Sequence, residues 1–97
     1  MSFLKYENDI LKFEDISIRE IAEGRATPFY CYSKQTLTNN FREFSDSLTS
    51  LDATVCFSLK SNSNLTILKT LTELEAGGDV VSEWEMRKAL QLSLIHI

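Results

Sequence analysis

Apolar and polar positions along the chain alternate with periods that shift from one segment to the next. Residues 3–13 carry apolar side chains at Phe3, Leu4, Tyr6, Ile10, Leu11 and Phe13, which predicts short strands around an Asn8-Asp9 turn. Ser17-Ile18-Arg19-Glu20 is a capping box, and Gly24 is a natural stop, so a short helix is expected over residues 18–23. Pro28 opens a predicted strand over 29–32, a position at which a missing N–H does no harm. From Ser33 a longer helix is expected to about Leu48. In it Leu37, Phe41, Phe44 and Leu48 recur at steps of four, three and four and form one apolar face, with Lys34, Arg42, Glu43 and Asp46 on the solvated side.

The uncharged run 53–59, rich in residues that favour an extended backbone, predicts a buried strand ending on Lys60, and its lack of polar alternation suits a parallel sheet covered on both faces. Asn62, Ser63 and Asn64 offer caps for a helix starting near Leu65, whose inward stripe is expected to be Leu65, Leu68, Leu71 and Leu74. Gly77-Gly78 is expected to turn the chain back into a second strand over 79–81. Ser82 and Glu85 form another capping box before a helix that buries Met86, Ala89 and Leu90. Two consecutive strand–helix units predict parallel pairing, as in a barrel or a doubly wound sheet.

Composition narrows the class without naming a function. The 97 residues suffice for one small domain, with 43% hydrophobic and 25% charged residues. A net charge of −4 argues against a nucleic-acid partner. No apolar run approaches a membrane span, and no basic-then-apolar leader stands at the N-terminus. Cys31 and Cys56 have neither metal-ligand nor redox-pair spacing and read as buried thiols in a reducing cytoplasm; no metal site is expected. His96, the single histidine, has no acid or nucleophile beside it in sequence.

Chemistry concentrates at Lys60. A lysine at the carboxyl end of a strand occupies the place where α/β proteins set their active groups. A desolvated lysine can attack a carbonyl such as the aldehyde of pyridoxal phosphate, whereas a lysine at a strand end also commonly extends into solvent. Asp79 is a carboxylate among valines, either an exposed residue at a strand start or a site group. Asn62 and Ser63 could order a loop beside a cofactor, and helix capping explains both as well; Glu85 reads as a cap and Trp84 as a packing residue.

Three blocks in order, Thr27-Pro28-Phe29-Tyr30-Cys31-Tyr32-Ser33, Lys60-Ser61-Asn62-Ser63-Asn64 and Gly77-Gly78-Asp79-Val80-Val81-Ser82 with Glu85, resemble the start of the diaminopimelate decarboxylases. The resemblance covers residues 17–90 and implies an α/β fold, the start of a (β/α)8 TIM-type barrel with about two βα units. Residues 1–33 would then be a strand–helix segment that pairs with a C-terminal β-domain, and residues 34–97 the opening of the pyridoxal-phosphate-binding barrel. It implies Lys60 as the residue that captures pyridoxal 5'-phosphate, with Asp79 close to the cofactor. The implied reaction is decarboxylation of meso-2,6-diaminopimelate to L-lysine and CO2 by a cytoplasmic homodimer acting on a small amino-acid substrate. Alternatives are a decarboxylase of the same fold acting on ornithine, arginine or carboxynorspermidine, and a small non-catalytic α/β binding module. Glu83-Trp84 departs from the family's usual Gly-Gly, and residues 91–97 depart from its usual helix end, which suggests a truncated reading frame with non-native final residues. The 97 residues alone are expected to be marginally folded and inactive.

Overall fold

The computed structural model describes residues 3–92. The chain divides into two compact units, the first ending at Leu37 and the second beginning at Thr38.

In the first unit, β1 (Leu4–Glu7) and β2 (Ile10–Phe13) pair antiparallel with Leu4 opposite Phe13 and Glu7 opposite Ile10. The expected turn joins them: Asn8 and Asp9 both adopt positive φ, 53° and 64°, as a two-residue hairpin that follows the twist of its strands requires. A third strand that the pattern did not predict, β3 (Ile16–Ser17), pairs antiparallel with β2. Phe13 is buried and meets the edge of Phe3 at 5.2 Å between ring centroids. Helix α1 (Ile18–Ala22) starts where the capping box places it: Ser17 Oγ accepts from the Glu20 N–H at 3.3 Å. Gly24, at φ 74°, lies just past its end.

Residues 29–32 form no strand, contrary to expectation: no described residue offers them a ladder, and a strand without a partner has nothing to define it. Tyr30 and Tyr32 stack on each other in the exposed segment. Cys31, expected to be buried, is exposed for the same reason.

Helix α2 (Lys34–Ser47) begins at Ser33, whose Oγ accepts from the Thr36 N–H at 3.0 Å. Its apolar stripe is only half covered: Leu37, Phe41 and Leu48 are intermediate and Phe44 is 58% exposed.

The second unit continues with β4 (Cys56–Ser58), α3 (Leu65–Glu73), β5 (Gly77–Asp79) and α4 (Glu83–Gln91). β4 and β5 pair in parallel, with Cys56 opposite Gly77 and Ser58 opposite Asp79. The Gly77-Gly78 turn is corrected: both glycines lie buried inside β5, and the chain reverses earlier. There Glu75 takes φ 66°, its N–H donates to the Thr72 carbonyl at 2.9 Å, and the Ala76 N–H donates to the Leu71 carbonyl at 3.0 Å. These two bonds make a Schellman motif with glutamate in the left-handed position.

Leu59, Leu68 and Ala89 are fully buried and form the core of this unit, with Phe57, Val80 and Leu92 packed around them. One sheet face is thus covered by α3 and α4. The expectation of cover on both faces is not met among the described residues: Cys56, Asp79 and Val81 are exposed. The face of α3 also differs from the leucine stripe. Ile67, Leu68, Thr70 and Leu71 are buried, while Leu65, in the first turn beyond the sheet, is exposed. On α4 only Ala89 is buried; Met86 and Leu90 are exposed because the helix meets the sheet through a single small residue. No described helix is long and apolar enough to cross a membrane. His96 and the run 94–97 lie outside the described residues.

Candidate active site

The site is built where β4 and β5 end side by side. The Leu59 N–H donates to the Asp79 carbonyl at 3.0 Å, which extends the parallel ladder by one residue past β4. A turn over residues 58–61 follows, closed by the Ser61 N–H on the Ser58 carbonyl at 3.1 Å, and Lys60 is its third residue. Lys60 therefore stands two residues beyond the strand rather than as its last member. It is exposed, not desolvated. Asp79, the last residue of β5, is exposed as well. The two groups end neighbouring strands, and no ion pair within 4.0 Å joins them to each other or to any other described residue.

The loop after Lys60 is tied down locally and once at long range. Asn62 Oδ1 accepts from the Asn64 N–H at 3.0 Å. Asn64 is the N-cap of α3, its Oδ1 accepting from the N–H groups of Thr66 and Ile67 at 2.9 and 3.3 Å. The Ser63 carbonyl accepts from Lys88 Nζ at 3.2 Å, linking this loop to α4 across 25 residues of sequence. Lys88 Nζ also stands 5.5 Å from the centroid of the Trp84 ring. Trp84 is 69% exposed, so it is not the packing residue that was expected. Glu85 caps α4: Ser82 Oγ accepts from the Glu85 N–H at 3.1 Å, and the Glu85 carboxylate accepts from the Val81 N–H at 3.4 Å.

Two groups escaped the reading of the sequence. Ser58 stands two residues before Lys60 and opposite Asp79, and its Oγ is buried without a hydrogen-bond partner. The period of two along a strand was a usable signal, since Ser58 alternates with the core-facing Phe57 and Leu59. The Lys88 contact had no sequence signal. Cys56, expected to be buried, is exposed on the uncovered face. Among the described residues no group of three or more His, Cys, Asp or Glu side chains could hold a metal.

An α/β unit with a free amine, a carboxylate and an unpaired hydroxyl at the carboxyl ends of adjacent parallel strands belongs to the class that can hold a carbonyl ligand on its sheet end. The family model for the pyridoxal-dependent decarboxylases, pyridoxal binding domain, matches residues 34–95, and the chain belongs to that family. The chain is 33% identical over 90 residues to diaminopimelate decarboxylase of Haemophilus influenzae and 37% identical over 90 residues to that of Pseudomonas aeruginosa. Each match takes in 93% of this chain and 22% of the relative, so the chain spans about a fifth of the length of these relatives. Among solved structures, AQ1208 of Aquifex aeolicus superposes with a TM-score of 0.88 at 33% identity, over 95% of this chain and 23% of that one. Diaminopimelate decarboxylase of Helicobacter pylori, solved with L-lysine, superposes with a TM-score of 0.74 at 34% identity, over 78% of this chain and 19% of that one.

The residues present fit the cofactor of this family. Among the described residues Lys60 offers an unengaged amine, Asp79 an unpaired carboxylate, and Ser58 a buried hydroxyl without a partner, at the carboxyl ends of β4 and β5.

Proposed function

We propose that this chain is the lysine-bearing part of a decarboxylase that converts meso-2,6-diaminopimelate to L-lysine and CO2 with pyridoxal 5'-phosphate. The observation that carries the reading is Lys60 on a turn at the carboxyl end of β4, beside Asp79 at the end of β5, in a domain of a pyridoxal-binding family. Relatives named for this reaction at 33% and 37% identity favour diaminopimelate over other substrates.

Bound pyridoxal phosphate supplies an electron sink for the pair left behind when a carboxylate departs. Lys60 Nζ is the nucleophile that would hold its carbonyl carbon, and among the described residues no ion pair engages it. Asp79 can accept a hydrogen bond from, or balance a positive charge on, a ring seated over the strand ends. The Asn62 and Asn64 bonds and the Lys88 link hold the loop that follows Lys60, which limits the excursions of its backbone.

In the wider reading β4–α3–β5–α4 opens a (β/α)8 barrel, and residues 29–32 are an edge that a C-terminal β-domain would pair. Support comes from the parallel crossover and from the unsatisfied segment itself. The complete enzyme is proposed as a cytoplasmic homodimer.

The test is Lys60→Ala in the full-length protein. After gel filtration the parent should retain the visible absorbance of pyridoxal phosphate and release CO2 from diaminopimelate, and the variant should do neither. Retained absorbance in the variant removes Lys60 from its role. Release of CO2 from ornithine or arginine in place of diaminopimelate keeps the lysine and refutes the substrate.

A further inference from the structure

We propose that the Ser58 hydroxyl is a binding group for pyridoxal phosphate, donating a hydrogen bond to one of its oxygens. The inference rests on the reading of Lys60 as the cofactor lysine.

Among the described residues Ser58 Oγ is the one buried side-chain nitrogen or oxygen without a hydrogen-bond partner. Buried polar groups are paired in the large majority of cases, and leaving one unpaired costs the desolvation of that group. Serine can satisfy itself locally by turning onto a nearby carbonyl, as Ser47 does with the Phe44 carbonyl at 2.6 Å. Ser58 does not.

Its location explains what the group is kept for. Ser58 is the first residue of the turn that carries Lys60, and its Cα pairs with that of Asp79. Phe57 and Leu59 on either side pack with the helix-covered core, so Ser58 alternates onto the opposite face of the strand, where the residue is only partly exposed and its Oγ is covered. Lys60, Asp79 and Ser58 thus stand at the carboxyl ends of the neighbouring strands β4 and β5. The carboxylate can only accept and the hydroxyl can donate, so the pair complements a ligand with both ring N–H and oxygen groups. Rotation about the Cα–Cβ and Cβ–Oγ bonds re-aims the donor without moving the backbone.

The experiment compares the full-length parent with Ser58→Ala, Ser58→Thr and Lys60→Ala. The readouts are the melting temperature of the cofactor-free protein and the dissociation constant for pyridoxal phosphate from absorbance titration. Ser58→Ala should melt at or above the parent, because the unpaired hydroxyl is gone, yet bind the cofactor about two- to twelvefold more weakly, the range of one net hydrogen bond. Ser58→Thr keeps the hydroxyl and should restore binding to within about twofold. A purely structural serine would instead lower the melting temperature on truncation and leave the dissociation constant unchanged. Equal binding by parent and Ser58→Ala overturns the proposal, as does failure of threonine to restore binding. If Lys60→Ala binds as tightly as the parent, the site reading itself fails and the Ser58 proposal falls with it. If Lys60→Ala loses the cofactor and Ser58→Ala does not, only the Ser58 proposal fails.

Discussion

Truncating Leu59 should unfold the second unit. Its side chain is fully buried and packs with Leu68 and Ala89, the other fully buried members of the core, inside a shell of Phe57, Val80 and Leu92. Leu59→Ala removes three carbons and leaves a cavity that Ala89 is too short to fill. Buried leucine-to-alanine changes cost about 2.7–5 kcal/mol, more where the site cannot collapse, so about 3–4 kcal/mol is expected here. Small cores seldom supply more than about 3–5 kcal/mol in total. With a urea slope of about 1–3 kcal/mol per molar, the midpoint should fall by at least about 1 M, or the cooperative transition should vanish. Trp84, the single tryptophan, sits on α4 in the same unit and reports the transition by fluorescence. Phe44→Ala, at a side chain 58% exposed, is the control and should cost less than about 1 kcal/mol. Equal midpoints for Leu59→Ala and the parent, or a larger loss for Phe44→Ala, would show that the sheet–helix core does not hold this unit together.

Glu75→Gly should stabilise by about 0.5–1 kcal/mol: the left-handed φ of 66° is strained for glutamate, and the relief exceeds the entropy glycine adds to the unfolded chain. A lowered urea midpoint would contradict it. Asn64→Ala removes an acceptor serving two amides and should cost about 1 kcal/mol, whereas Asn64→Asp should keep most of the stability; urea titration separates them. Lys88→Met keeps the apolar stem but loses the bond to the Ser63 carbonyl. Amide exchange in residues 61–64 should accelerate about fivefold, as for the loss of about 1 kcal/mol of local stability, and Trp84 emission should shift as the ammonium leaves its ring. Unchanged exchange would mean that the loop is held by Asn62 and Asn64 alone.

Local chemistry was legible in the sequence, and so were the class of fold and the place of the lysine. Ser17, Ser33, Asn64 and Ser82 cap their helices through bonds spanning two or three residues. A hydroxyl or amide oxygen beside an unpaired helix N–H needs nothing distant to act. The Asn8-Asp9 hairpin followed for the same reason. Lys60 and Asp79 could be named because a motif carries them, and their side-by-side strand ends required only a parallel crossover.

Tertiary structure decided what needs a partner far along the chain. The pattern put β5 at 79–81, but Cys56 and Phe57 pair with Gly77 and Gly78, so the glycines became strand and Glu75 took the turn. Which leucines of α3 face inward, and why α4 buries only Ala89, depends on where one sheet face lies. The exposure of Cys56 follows from the other face being left uncovered. Residues 29–32 had the composition of a strand and found no ladder. Capping energies are settled within one turn of chain, whereas pairing and burial are settled by surfaces that only the assembled fold brings together.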